Sequence, residues 1–133
     1  MRALITGSGN MGRVIASGLE SRADEVAAMA GRETGYPSAA EIGAVDVTFE
    51  FSHHSTLLEH LDLGLATGCR AFVVGTTGWT AGDEIGQAFG ARLAEHDARA
   101  VVAPTFSLAA VLFGDISEYA ARLFGGFSDY DPY

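Results

Sequence analysis

The chain has 133 residues, enough for one compact domain with a single apolar core and too few for two. Apolar residues make up 48% of it and 17 residues are glycine, a balance that excludes a disordered or fibrous chain and suits a tightly turned α/β protein. A net charge of −9 opposes attraction to DNA, RNA or anionic lipid, and no apolar run is long enough to cross a bilayer, so neither nucleic acid nor membrane is expected as a partner.

Ala3 to Thr6 is a short apolar run that stops at Gly7, the pattern of a parallel strand covered on both faces. From Met11 onward, Met11, Ile15, Gly18 and Leu19 recur on one helical face, with Arg13, Glu20 and Arg22 left for solvent, which predicts a helix. Val26 to Ala30 supplies a second strand, broken by Gly31-Arg32-Glu33-Thr34-Gly35. Val45 to Phe51 alternates apolar residues with acids and predicts a third strand; Ser55-Thr56 with Glu59 then predicts a capping box for a helix through Leu65. Ala71 to Val74 is the fourth strand, closed by Gly75-Thr76-Thr77-Gly78, and Thr80 with Asp83 is placed to cap a helix reaching Glu95. Arg99 to Ala103 is the fifth strand. Beyond Pro104, Ser107 is a candidate N-cap for a helix in which Leu108, Val111, Leu112, Ile116, Ala120 and Leu123 keep helical spacing up to Gly125-Gly126; Phe127 to Tyr133 reads as an exit segment. Strands alternating with helices over short loops predict the α/β class: a Rossmann-type parallel sheet with helices on both faces, in a single domain.

Three segments carry candidate chemistry. Gly7-Ser8-Gly9-Asn10-Met11-Gly12 lies between a predicted strand and a predicted helix, the context of the dinucleotide fingerprint. There Gly7 permits the tight turn, Gly9 lets a pyrophosphate approach the backbone, Gly12 allows the helix to pack on the strand, and the helix N-terminus offers free N–H groups to negative charge. The competing view is an ordinary strand-to-helix loop in a glycine-rich chain. At the end of the second strand Arg32 stands without an acid just before it, which suits a 2′-phosphate and favours NADPH, with NADH possible. Against this stands a solvated Arg32 paired with Glu33. Gly75, Thr76 and Thr77, the Phe49 to Ser52 segment with Phe51, and Ala103, Pro104, Thr105 and Phe106 are three strand ends whose loops are expected to converge beside a nicotinamide ring.

The remaining reactive residues offer less. All eight basic residues are Arg, which excludes a lysine Schiff base or a lysine acid within these residues. Cys69 is the single cysteine, so there is no intrachain disulfide or cysteine zinc site; with the N-terminus running straight into a glycine turn instead of a signal sequence, a cytoplasmic protein is expected. Cys69 has no neighbouring His to form a thiolate pair and reads as structural. His53-His54 reads as loop, His60 and His96 as surface or boundary residues on helices, and Trp79 as core or site wall. No metal-ligand spacing emerges.

The Gly-x-Gly-x-Met-Gly-Arg start, the Glu50-Phe51-Ser52 segment, Val73-Val74-Gly75-Thr76-Thr77-Gly78-Trp79 and the Pro104-x-Phe106-Ser107-Leu108 stretch together resemble the 4-hydroxy-tetrahydrodipicolinate (dihydrodipicolinate) reductases of lysine and diaminopimelate biosynthesis. The resemblance covers nearly the whole chain, and Gly75 to Trp79 is its most specific part. It implies hydride transfer from NAD(P)H to a cyclic unsaturated dicarboxylate in a homo-oligomeric enzyme. Residue by residue it implies that Gly7 to Gly12 hold the pyrophosphate, Arg32 the adenosine end, and Gly75 to Thr77 with Ala103 to Phe106 the nicotinamide region.

Residues 1–128 are expected to form the NAD(P)-binding domain and 129–133, Asp-Tyr-Asp-Pro-Tyr, the start of a hinge to a substrate domain. In this family that second domain carries a His-His-x-x-Lys motif and a Lys-x-Asp-x-Pro-Ser-Gly-Thr stretch, which supply the acid and the carboxylate-binding groups. Neither is present, and His53-His54 lacks the spaced lysine, so no catalytic residue is assigned in this chain and cofactor binding without turnover is expected. An apolar face left exposed where the second domain or its return segment would pack is also expected, and with it self-association. Thr105 stands where the family usually has Asn, and Ala109 and Val111 where it has Gly and Asn. Two further readings are a non-catalytic NAD(P)(H)-sensing module and a different Rossmann oxidoreductase.

Overall fold

A computed structural model describes residues 1–126 and contains five strands, β1 (Arg2–Thr6), β2 (Glu25–Ala30), β3 (Val47–Glu50), β4 (Ala71–Val74) and β5 (Arg99–Val102). Its helices are α1 (Asn10–Glu20), α2 (Ala39–Ile42), α3 (Leu57–Ala66), α4 (Glu84–Glu95) and α5 (Leu108–Phe124), with a 3-10 turn at His54–Thr56 ahead of α3. All four strand pairings are parallel and the order is β2-β1-β3-β4-β5. The chain leaves β1 toward β2 on one side and resumes with β3 on the other, so the switch point of this open sheet lies between β1 and β3.

Alternation along the strands divides the core in two. Ala3 and Ile5 of β1 and Val47 of β3 meet Leu19 of α1, with Ile15 and Ala16 partly buried beside them. On the opposite face Leu4, Phe72 and Val74 pack with Ile42 of α2, Leu57, Leu61 and Leu65 of α3, and Phe89 of α4. Helices therefore cover both faces, as the strand and helix alternation predicts. Cys69 is buried, its thiol donating to the Ala71 carbonyl at 3.1 Å, which accords with a structural role.

Several local expectations need correction. Met11 and Gly18 are exposed; the buried line of α1 is Gly12 and Leu19, because Gly12 sits against the end of β1 and turns Met11 outward. The strand predicted over Val45 to Phe51 is regular over Val47–Glu50, and the one predicted over Arg99 to Ala103 over Arg99–Val102. The capping box at Ser55-Thr56 and Glu59 does not form: the Thr56 hydroxyl donates instead to the His53 carbonyl at 3.0 Å, and Thr56 has φ −110° and ψ 0° where capping needs extended backbone. A capping box does form at Ser38 and Glu41 on α2, a four-residue helix the periodicity does not reveal. Of the predicted pair Thr80 and Asp83, Asp83 is the N-cap of α4, accepting from the Gly86 N–H at 2.8 Å, and that bond, then the one from Thr80 N–H, holds its carboxyl below the usual aspartate range.

Ser107 caps α5, but no residue of that helix is buried, although its apolar residues keep the predicted spacing. Leu108, Phe113, Ile116 and Tyr119 stand in solvent, as do Val101 and Val102 of the edge strand. The exit segment from Phe127 and the 129–133 hinge lie outside the described residues.

Candidate functional site

Parallel register places the predicted site segments along one edge. Ala30, Thr6, Glu50, Val74 and Val102 form a row across the sheet, the last residues of their strands. One residue further, Gly7 donates its N–H to Ala30 O, Phe51 to Thr6 O, Gly75 to Glu50 O and Ala103 to Val74 O, at 2.8–3.1 Å. Each of these bonds makes the first loop residue a continuation of the ladder, so the loops all start from the same level. This is the carboxyl edge, where open α/β sheets bind ligands.

At the switch point the glycine loop is shaped by backbone. Gly7 has φ +112°, and a Cβ there would lie 2.2 Å from the Phe51 carbonyl oxygen; a Cβ on Gly12 would lie 1.9 Å from the Gly7 carbonyl oxygen. Both glycines are thus demanded by the protein itself. Gly9 differs, with nothing within 4 Å of a Cβ built on it, so the space above it is open. It is the N-cap of α1, whose first turn has no side-chain cap and no acid. The N–H groups of Asn10, Met11 and Gly12 therefore lack intrahelical acceptors, and the first turn carries no acid of its own to offset the positive end of the helix.

The turn after β2 closes against this loop. Gly31 and Gly35 exchange backbone hydrogen bonds of 2.9 and 2.8 Å, and the Glu33 N–H reaches Ser8 Oγ at 3.3 Å. The expected alternative pairing of Arg32 with Glu33 does not occur: Glu33 is bound by Arg13 of α1, and among the described residues Arg32 has no ion pair. Gly7, Ser8, Gly9, Arg32 and Phe51 line one cleft of about 540 Å³, together with Glu33, Tyr36, Ser52 and His60.

Below the cleft lies a buried polar cluster that the sequence reading missed. Glu50 is 1% exposed and His60 2%. The Ser52 hydroxyl donates to Glu50 Oε1 and the Thr76 hydroxyl to Oε2, while His60 Nδ1 lies 3.0 Å from both Glu50 Oε1 and Ser52 Oγ. The Ser52 N–H donates in turn to Thr76 Oγ1 at 2.9 Å. His60 is therefore a core residue and not a surface one; its place on the Leu57, Leu61, Leu65 stripe was the available signal. Both Ser52 and Glu50 address the same ring nitrogen, so the cluster does not have the relay order of a hydrolytic triad. It ties the ends of β3 and β4 to α3.

Thr76 also differs from expectation, since its hydroxyl is buried and committed to Glu50, leaving Thr77 as the exposed hydroxyl of the pair. Thr76, Thr77 and Pro104 line a second cleft of about 460 Å³ with Trp79 and Phe89. Trp79 is partly buried, donates Nε1–H to the Thr76 carbonyl at 2.8 Å and packs on Phe89, serving as both core edge and wall. Between the clefts, a Cβ on Gly75 would lie 2.2 Å from the Phe51 ring, and Phe51 contacts Phe106 at 5.7 Å between centroids. Phe51, Gly75 and Phe106 thus come together, as predicted for three converging strand ends. Thr105 accepts from the Ser107 N–H at 3.1 Å. His53 lies in the loop, His54 opens the 3-10 turn, and His96 is exposed at the end of α4. Among the described residues no three His, Cys, Asp or Glu side chains are grouped to hold a metal, and no helix is long and apolar enough to cross a membrane.

An open parallel sheet with a glycine turn at its switch point and a helix N-terminus facing it defines a Rossmann-type α/β domain. Over residues 1–106 the sequence matches the family described as "Dihydrodipicolinate reductase, N-terminus", and the chain belongs to that family. It is 31% identical over 126 residues to a 4-hydroxy-tetrahydrodipicolinate reductase of Mycobacterium sp. (strain KMS), covering 93% of this chain and 50% of the relative. A protein of the same name from Streptomyces coelicolor is 36% identical over 124 residues, covering 92% of this chain and 48% of the relative. The chain spans about half the length of the curated relatives it matches.

Proposed function

We propose that this chain is the NAD(P)H-binding domain of a 4-hydroxy-tetrahydrodipicolinate reductase and binds the cofactor without turning over substrate by itself. The observation that carries this is the open space above Gly9 at a helix N-terminus with no acid or side-chain cap in its first turn, in a loop whose other glycines are dictated by backbone contacts. A pyrophosphate fits the donors of that loop and the field of α1. Gly7 to Gly12 would hold it, and the Arg32 guanidinium, lining the same cleft with no ion pair among the described residues, suits a 2′-phosphate and so NADPH before NADH.

Gly75, Thr76, Thr77, Phe51 and Ala103 to Phe106 would frame the nicotinamide end. Thr76 contributes there through its backbone, because its hydroxyl is engaged with Glu50. When bound, the dinucleotide supplies a hydride; in the whole reductase its acceptor would be a cyclic unsaturated dicarboxylate. Residues 1–128 would be the binding domain and 129–133 the entry to a second domain that supplies the proton donor, the carboxylate-binding groups and the contacts of a homo-oligomer. The acidic charge and a single buried cysteine suit a cytoplasmic enzyme.

The test is a titration with NADPH and, separately, NADH, following quenching of Trp79 and energy transfer from it to the reduced nicotinamide. Binding of NADPH with NADH equal or weaker supports the proposal; a folded sample that binds neither refutes it. A non-catalytic sensing module would bind equally well, and the two part on whether the chain joined to the second half of such a reductase gains activity.

A further inference from the structure

We propose that Arg13 is a positioning residue that sets the choice between a 2′-phosphate and a 2′-hydroxyl, by holding Glu33 away from the nucleotide. The inference rests on the dinucleotide reading and names the device that tunes it. Arg32 and Glu33 are adjacent, and both line the cleft beside Ser8 and Gly9. Their turn is closed by the Gly31 and Gly35 backbone bonds. It is also packed so tightly on the glycine loop that a Cβ on Gly31 would lie 2.5 Å from Ser8 Oγ. Little backbone freedom is left to choose which of the two side chains faces a ligand, so that choice falls to side-chain partners.

The two side chains favour opposite cofactors. A free carboxylate at the end of β2 accepts hydrogen bonds from ribose hydroxyls and repels a 2′-phosphate; a free guanidinium does the reverse. In the structure Glu33 is tied to Arg13 Nη2, whereas Arg32 has no ion pair among the described residues. Arg13 thus neutralises the acid that follows Arg32 in the chain and anchors it to α1. Because the Arg13 and Glu33 side chains are 57% and 65% exposed, the pair is a weak, salt-screened latch suited to tuning selectivity and not to holding the fold.

Calorimetric titration of NADPH and NADH into the wild-type chain, Arg13→Ala, Glu33→Gln and the double variant tests this, with circular dichroism melts to verify folding. Arg13→Ala is expected to lower the ratio of NADPH to NADH affinity about three- to fivefold, chiefly because the freed Glu33 repels the phosphate. Glu33→Gln in that background should restore the wild-type ratio. An unchanged ratio in Arg13→Ala overturns the proposal. So does a lowered ratio that Glu33→Gln fails to restore, which would make Arg13 a direct phosphate ligand. Failure of the underlying reading looks different: the wild-type chain binds neither dinucleotide, or Arg32→Ala weakens both cofactors equally.

Discussion

Replacing Glu50 by leucine measures how far the buried cluster under the cleft holds the sheet edge together. The carboxyl accepts from the Ser52 and Thr76 hydroxyls and lies 3.0 Å from His60 Nδ1. Leucine keeps most of the volume, so cavity formation contributes little. The Thr76 hydroxyl loses its acceptor, a cost of about 1–3 kcal/mol for a stranded buried donor. His60 Nδ1 keeps a partner, since Ser52 Oγ remains 3.0 Å from it, so the stranded Thr76 hydroxyl sets most of the loss. We therefore expect Glu50→Leu to cost about 2 kcal/mol, or roughly 7 °C in thermal midpoint for a domain of this size. Removing both partners in Glu50→Leu/His60→Leu should recover about half of that, because replacing both members of a buried hydrogen-bonded pair by apolar groups costs less than stranding one of them. Urea unfolding followed by circular dichroism and by Trp79 fluorescence gives both values. A single-variant loss below about 1 kcal/mol, or a double variant less stable than the single, would refute the view that the cluster is cohesive.

Three further outcomes are expected. Gly9→Ala should melt like the wild type while losing dinucleotide affinity, because a Cβ there meets nothing in the protein; Gly12→Ala should instead lower the melting temperature, since its Cβ would meet the Gly7 carbonyl. Both follow from one melt and one NADPH titration per variant. Phe113→Glu and Ile116→Glu on the exposed face of α5 should leave stability within about 0.5 kcal/mol and reduce concentration-dependent self-association in sedimentation velocity. Finally, a carboxyl held below its unfolded value stabilises the fold above that value and ceases to do so as the pH falls through the folded one. The stability gap between wild type and Asp83→Asn should accordingly be full near neutrality and close in acid, below the ordinary aspartate range, as read from urea midpoints across pH.

The main lines of the fold were legible because short β-rich runs ending in glycine, and helices with an apolar face, differ in period. The same four-residue signature nonetheless had two outcomes. Ser38 to Glu41 became a capping box, whereas Thr56 to Glu59 did not, because the 3-10 turn before α3 gave Thr56 a helical ψ and diverted its hydroxyl to His53. A helix of four residues such as α2 is too short to show a period at all. In α5 the periodic stripe correctly implied a helix, but a stripe says only that one face is apolar, not whether described residues cover it.

The candidate site divides along the same line. Strand ends share an edge as a direct consequence of parallel register, so the glycine loop, Phe51, Gly75 and Ala103 could be grouped from the chain alone. Side-chain partners cannot be grouped that way, since they depend on contacts between residues far apart in sequence. Thr76 looked like a free hydroxyl until β3 brought Glu50 beside it, and Glu50 looked like the polar face of an alternating strand until α3 covered it. Glu33 looked like the natural partner of Arg32 until α1 set Arg13 against it. In each case a polar group at the sheet edge has its acceptor or cation supplied by a different element, while Arg32, with no ion pair among the described residues, and Gly9, the N-cap of α1, line the same cleft. A guanidinium and a helix N-terminus gathered at the switch point of an acidic protein are a local reversal of its net charge, and that reversal selects an anionic ligand where the rest of the surface would repel one.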